Sequence, residues 1–124
     1  MASEGLHEPA EVLDEATIDH HRAMTSLIEE LEAVDWYDQR VKATKDPSLA
    51  EILAHNRDEE KEHASMTLEW LRRRDSVLDS NLRNYLFTTE PILEIEAETE
   101  AAGGGSPRGA PAGSLGIGSL KGGE

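Results

Sequence analysis

Cysteine is absent from this sequence of 124 residues. Disulfides, thiolate zinc sites and iron–sulfur clusters are therefore excluded. Positive charge is scarce: 12 Lys and Arg stand against 26 Asp and Glu, for a formal net charge of -14. Nucleic acid is not an expected partner, because phosphate contacts need a basic patch. Such acidity suits a protein that attracts cations, and equally one that is merely kept soluble. Long apolar runs are missing too, so no membrane-spanning segment is expected. The opening Met1-Ala2-Ser3-Glu4 lacks the basic region and apolar run of a secretory leader, and a cytoplasmic location is the expectation. The length allows one small domain but is short for a self-contained four-helix bundle. A second chain supplying half of the core would resolve that shortage.

What is present is helical periodicity. From about Glu8 to Lys42, Leu13, Thr17, His20, Met24, Leu27, Leu31 and Val34 recur at steps of three and four. Pro9 suits the first turn of that helix, and Glu11, Asp14, Glu15 and Asp19 complement the dipole at its start. The run from Lys42 to Pro47 reads as a turn, with Asp46 as N-cap and Pro47 as first residue of a second helix reaching about Arg74. Leu49, Leu53, Asn56, Glu60, His63, Thr67 and Trp70 form its stripe. So short a connection makes the two helices an antiparallel hairpin. A third, shorter helix is expected from Ser76 to Leu86, with Pro91 limiting its extension.

The fold class is therefore all-α: a helical domain over 1–97, then a linker over 98–113 and a tail over 114–124. Gly103-Gly104-Gly105-Ser106-Pro107 and Gly109-Ala110-Pro111 give the linker its flexible composition. The tail, Ser114-Leu115-Gly116-Ile117-Gly118-Ser119-Leu120-Lys121, regains apolar residues among glycines that disfavour a helix. It reads as a short docking peptide on a tether, the alternative being a random tail.

Two carboxylates and one imidazole interrupt the core-facing rows. Glu60 and His63 stand as Glu-x-x-His, three apart and so on one helix face. Glu30 interrupts the row Ala23, Leu27, Val34 and Tyr37 on the first helix in the same way. A carboxylate on a buried face is costly unless paired or bound to metal. Di-iron carboxylate bundles use about twice this set, four Glu and two His. A symmetric dimer would supply it, with two irons per pair of chains near the twofold axis. Oxygen and imidazole ligands suit iron, while manganese and zinc are alternative occupants. The competing reading is a surface salt-bridge cluster around Lys61.

Two flanking groups admit two readings each. Glu29, Glu32 and Trp36 share one face, as do His55, Glu59 and Glu62 on the second helix. Each set is either a loose cation-holding site or a solvated acidic face, and the solvated face is the simpler reading of each taken alone. His20 and His21 lie early in the first helix and read as packing or exposed residues.

Several segments closely resemble the encapsulated ferritins: Glu29 to Arg40, Asn56 to His63, Met66 to Arg73, and Tyr85-Leu86-Phe87-Thr88 with Pro91-Ile92. Ser114 to Leu120 is similar to the tail by which cargo proteins dock inside encapsulin shells. The resemblance implies a ferroxidase that oxidises Fe(II) and passes Fe(III) to a mineral store in the shell lumen. It implies a ferritin-like four-helix bundle formed by dimerisation, an intersubunit site, and dimers assembled into a decameric ring. The family's iron ligands fall on Glu30, Glu60 and His63, with Tyr37 close by, and its outer metal-attracting positions on Glu29, Glu32 and Trp36. The protein would then lie in the cytoplasm, inside the encapsulin nanocompartment. The rival functions are an iron buffer with the same ligands but no turnover, and a structural cargo adaptor.

Overall fold

The computed structural model describes residues 5–103, so the docking peptide and most of the linker lie outside the described residues. Every described element is helical: a short 3-10 turn over Ala10–Val12, then α1 (Glu15–Ala43), α2 (Pro47–Arg72), α3 (Ser76–Tyr85) and α4 (Ile92–Ala101). None of these helices is long and apolar enough to cross a membrane. The chain divides into two compact units, Met1–Leu71 and Arg72–Glu124.

The first unit holds α1 and α2. The long helix starts at Glu15, later than periodicity suggested. Pro9 opens the 3-10 turn instead, and Leu13 is extended. Asp14 then caps α1, its side chain accepting from the Thr17 N–H at 2.8 Å. The Thr17 side chain and this N–H together hold the Asp14 carboxyl below its ordinary value. At the far end Thr44 is extended, and its N–H closes on the Arg40 carbonyl at 3.0 Å. Asp46 caps α2 as expected, accepting from the Ser48 N–H at 2.9 Å and the Leu49 N–H at 3.3 Å. Pro47 occupies the first helical position, where no N–H is needed.

Three side-chain contacts fix α2 antiparallel to α1. The His20 and Trp70 rings meet edge to face, with centroids 5.8 Å apart. Thr67 reaches Glu30 at 3.4 Å, and Arg57 reaches Asp38 at 3.1 Å. As numbers rise along α1 they fall along α2, which is the expected hairpin. The half-buried row on α1 is Ala23, Leu27, Glu30, Val34 and Tyr37. Facing it are Leu53, Asn56, Glu60, His63, Thr67 and Trp70.

The other apolar row departs from expectation. Met24 is 43% exposed, Leu31 54%, Leu49 44%, Ile52 57% and Met66 59%. Two helices make a single layer, and each can bury only the stripe facing its neighbour. In this unit Ala64 and Leu71 are the buried apolar residues.

The second unit holds α3 and α4. Asp75 caps α3, accepting from the Leu78 N–H at 2.9 Å. Asp79 is buried and clasped by Arg72 and Arg83, the Arg83 Nε lying 3.0 and 3.1 Å from its two oxygens. The chain leaves α3 through Phe87, whose φ of 62° is left-handed. Helix α4 was not expected from the sequence. Pro91, read as a limit on helix extension, sits at its N-cap. The helix also runs to Ala101, past the linker boundary drawn at 97. Ile95 is fully buried, and Thr99 accepts from Asn84 Nδ2 at 2.8 Å while donating to the Ile95 carbonyl within α4.

Candidate metal centre

The site is built on the facing rows of the hairpin. Glu60 and His63 project from one turn of α2, His63 Nδ1 lying 3.6 Å from Glu60 Oε1. Their side chains are 28% and 44% exposed, so the pair is partly covered and open on one side. Adjacent acid and imidazole groups form a preformed two-point grip for a cation once the imidazole is neutral.

Glu30 comes from α1 and meets the turn after His63. Its Oε2 lies 3.4 Å from the Thr67 hydroxyl, at the long end of hydrogen bonding. Its Oε1 is buried and has no hydrogen-bond partner among the described residues. A buried acceptor left bare costs on the order of 1–3 kcal/mol. Such an atom calls for a reason, and a cation is the partner that best suits an anionic oxygen.

Glu30 and Glu60 are not side by side in one chain. Thr67 is seven positions beyond Glu60, about 10 Å along the helix axis. His63 lies between these levels. Among the described residues no three His, Asp or Glu side chains gather closely enough to hold one metal. One chain thus offers a Glu–His pair on α2 and, on the facing row of α1, a separate carboxylate with one bare oxygen.

The other candidates fall around this row. Tyr37 is half-buried on the same face of α1 as Glu30, two turns on, and the Arg40 guanidinium carbon sits 5.6 Å from its ring centroid. Glu29 and Trp36 are exposed and Glu32 is half-buried. On α2, His55 Nε2 lies 3.9 Å from Glu59 Oε2, with both side chains more than half exposed, and Glu62 is also exposed. That geometry is a loose surface pair rather than a closed site.

Two residues acquire roles that periodicity had not given them. Arg57 is 23% exposed and joins Asp58 at 3.0 Å and Asp38 at 3.1 Å, tying the end of α1 to the turn before Glu60. Asp58 and Asp38 together hold the Arg57 guanidinium above its ordinary value, and Arg57 holds the Asp58 carboxyl below its own. Thr67 is the second. Its signal lay in its position four residues after His63, a polar residue on the core-facing stripe.

The model of the EncFtn-like family matches residues 5–89. The chain belongs to the EncFtn-like family. That match takes in Glu30, Glu60 and His63 and ends before α4. An "Encapsulated ferritin-like protein" of Rhodospirillum rubrum is 62% identical over 128 residues, covering 98% of this chain and 91% of its own. A "Ferritin-like protein" of Thermotoga maritima is 55% identical, covering 90% of this chain and 93% of its own. A crystal structure of a Nitrosomonas europaea protein superposes with a TM-score of 0.70 at 61% identity, covering 72% of this chain and 98% of that one. Membership makes this an all-helical, ferritin-like protein of the encapsulated kind, and it supports a role connected with iron.

Proposed function

We propose that two copies of this chain pair through their hairpins and oxidise Fe(II) at a centre built from Glu30, Glu60 and His63 of both. The observation that carries this reading is the buried Glu30 Oε1, without a hydrogen-bond partner among the described residues, on the row of α1 that faces the row carrying the Glu60–His63 pair. The exposed Met24, Leu31, Ile52 and Met66 support it, since apolar side chains on a two-helix layer favour burial against another layer.

Iron is the substrate. In the paired state the chains contribute four carboxylates and two imidazoles, the donor set of a di-iron carboxylate bundle. Four carboxylates balance two divalent ions. Glu30 and Glu60 bind and orient the ions, and His63 supplies a neutral donor on the same turn as Glu60. Two adjacent ferrous ions give two electrons to one dioxygen, which with two protons becomes hydrogen peroxide. Two such pairs, with four electrons and four protons, carry it to two waters. Pairing of the two hairpins covers the open side of the row and excludes bulk water from the ligands, which strengthens each ion–carboxylate contact. Glu29, Glu32 and Trp36 form the outer face by which iron arrives.

The encapsulated relative supports a shell around the assembly. In this reading Ser114–Lys121 docks inside an encapsulin shell in the cytoplasm, the dimers form a decameric ring, and the oxidised iron enters a mineral in the shell lumen. Removing 114–124 then leaves oxidation unchanged and abolishes retention in a co-expressed shell.

Dioxygen uptake on adding Fe(II) tests the activity. The parent protein should consume dioxygen in proportion to iron, with a rate that saturates, and Glu60→Ala should fall to background. Iron binding without uptake would identify a buffer instead.

A further inference from the structure

We infer that Thr67 is a positioning residue for the centre, presenting Glu30 to iron through Oε1 alone. The inference rests on Glu30 being a ligand, as proposed above. The Thr67 hydroxyl lies 3.4 Å from Glu30 Oε2 and 3.2 Å from the His63 carbonyl oxygen one turn earlier. A hydroxyl carries one proton, so it donates to one of these acceptors at a time. Its oxygen is nevertheless fixed, because a β-branched side chain has few rotamers and back-bonding to the carbonyl four residues earlier selects among them. The carbonyl belongs to His63, so the anchor for Glu30 and the imidazole ride on the same turn of α2.

The consequence is an asymmetry between the two Glu30 oxygens. Oε2 faces a donor from α2, while Oε1 is buried and faces none. The free oxygen is the one with unspent acceptor capacity, and it is the one available to an ion. Holding Oε2 fixes the carboxylate plane across the gap between helices, so that binding does not have to freeze the Glu30 side chain. When the ion draws charge away from Glu30, the proton can turn to the His63 carbonyl, and no buried donor is stranded. Hydrogen bonds to ligating carboxylates act in this way elsewhere, and their loss typically costs 10–100-fold in metal affinity or activity. The length of this bond puts the expectation at the lower end, about tenfold.

Thr67→Val keeps the shape and the branching but removes the hydroxyl, and Thr67→Ser keeps the hydroxyl. Ser65→Ala is the control, since Ser65 makes the same type of back-bond to the Lys61 carbonyl at 2.8 Å on an exposed face. The full chain is titrated calorimetrically with Zn(II), a redox-inert probe, and Fe(II) oxidation is measured in parallel. Thr67→Val should raise the Zn(II) dissociation constant and the half-saturating Fe(II) concentration by about tenfold, with the maximal oxidation rate little changed. Thr67→Ser should restore both, and Ser65→Ala should resemble the parent. Helical circular dichroism verifies that each variant is folded. The assignment of Thr67 is overturned if folded Thr67→Val binds Zn(II) like the parent, or if Val and Ser weaken binding equally. If the parent binds Zn(II) no better than Glu60→Ala does, the metal centre itself is wrong and Thr67 falls with it.

Discussion

Glu30 in the hairpin and Asp79 in the α3–α4 unit both have carboxylate oxygen withdrawn from water, yet their surroundings differ sharply. Asp79 is 5% exposed and held by two guanidinium groups, from Arg72 and Arg83. Its charge is neutralised and its oxygens are bonded. Glu30 has one long contact to a hydroxyl and one oxygen without any partner. A buried acid satisfied by the protein's own cations stabilises a fold, at best modestly once desolvation is counted. A half-buried acid with one buried oxygen left short of donors destabilises the chain by itself and is suited to a ligand from outside. The comparison sets a carboxylate bonded within the protein against a proposed iron ligand by their partners, without reference to motif.

Glu30→Gln and Asp79→Asn set the two cases against each other, and the largest effect belongs to the first. Glu30→Gln keeps the shape and removes one negative charge per chain, so paired divalent ions are no longer balanced. Fe(II) oxidation should fall to near background while the helical content and the thermal midpoint hold or improve. Asp79→Asn should do the reverse, leaving two guanidinium groups facing a neutral amide. We expect a loss of about 2–3 kcal/mol in the stability of the α3–α4 unit, measured by urea unfolding, with per-chain Zn(II) affinity retained. If Asp79→Asn abolished Zn(II) binding while Glu30→Gln left it intact, the division between the two acids would be inverted.

Glu32→Ala sharpens the boundary between the centre and its rim. Glu32 follows Glu30 by two positions, about 200° around the helix, and so leaves the row that carries the proposed ligands. Oxidation should stay saturable, with a rate changed severalfold at low iron and bound metal unchanged. Trp36→Gly should act in the same direction, with about 1 kcal/mol of helix propensity lost as well.

The smallest expected effect concerns an acid that is fully solvated but well bonded. The Leu49 and Ser48 N–H groups, helped by the Ser48 side chain, hold the Asp46 carboxyl below its ordinary 3.8. A folded value below the unfolded one makes the cap stabilising above the unfolded value. That contribution declines as pH falls through 3.8 and on through the lower folded value. Thermal midpoints from pH 2 to 6 should therefore drop more steeply for the parent than for Asp46→Asn, whose cap does not titrate. Parallel curves would remove Asp46 from the acid response.

Much of this was legible in the sequence because it depends on local rules. Asp46-Pro47 announces the start of α2, the three- and four-residue spacing announces the two helices, their short connection announces the hairpin, and Glu30, Glu60 and His63 stand out as polar residues on core-facing rows. Other features were hidden because tertiary contacts decide them. Pro91 can close one helix or open another, and the buried Ile95 with the Asn84–Thr99 bond selects the second outcome. The register that puts Glu30 opposite Thr67, and not beside Glu60, depends on contacts such as Arg57 with Asp38 and His20 with Trp70. Nor does spacing say which apolar row stays uncovered. Met24 and Leu31 recur as regularly as Leu27 and Val34, but only the latter face the other helix.

The central claim is that one chain holds half of a metal centre. An anaerobic titration with Fe(II), followed by sedimentation and bound-iron analysis on the same samples, addresses it most directly. Metal shared between two copies binds the pair and not the separate chain, so it shifts association by mass action. The account predicts saturation at one iron per chain, with assemblies of even chain number growing at the expense of monomer in step with bound iron. In Glu60→Ala both changes should disappear. Full iron binding by a species that stays monomeric, or an assembly distribution indifferent to iron across protein concentrations, would contradict it.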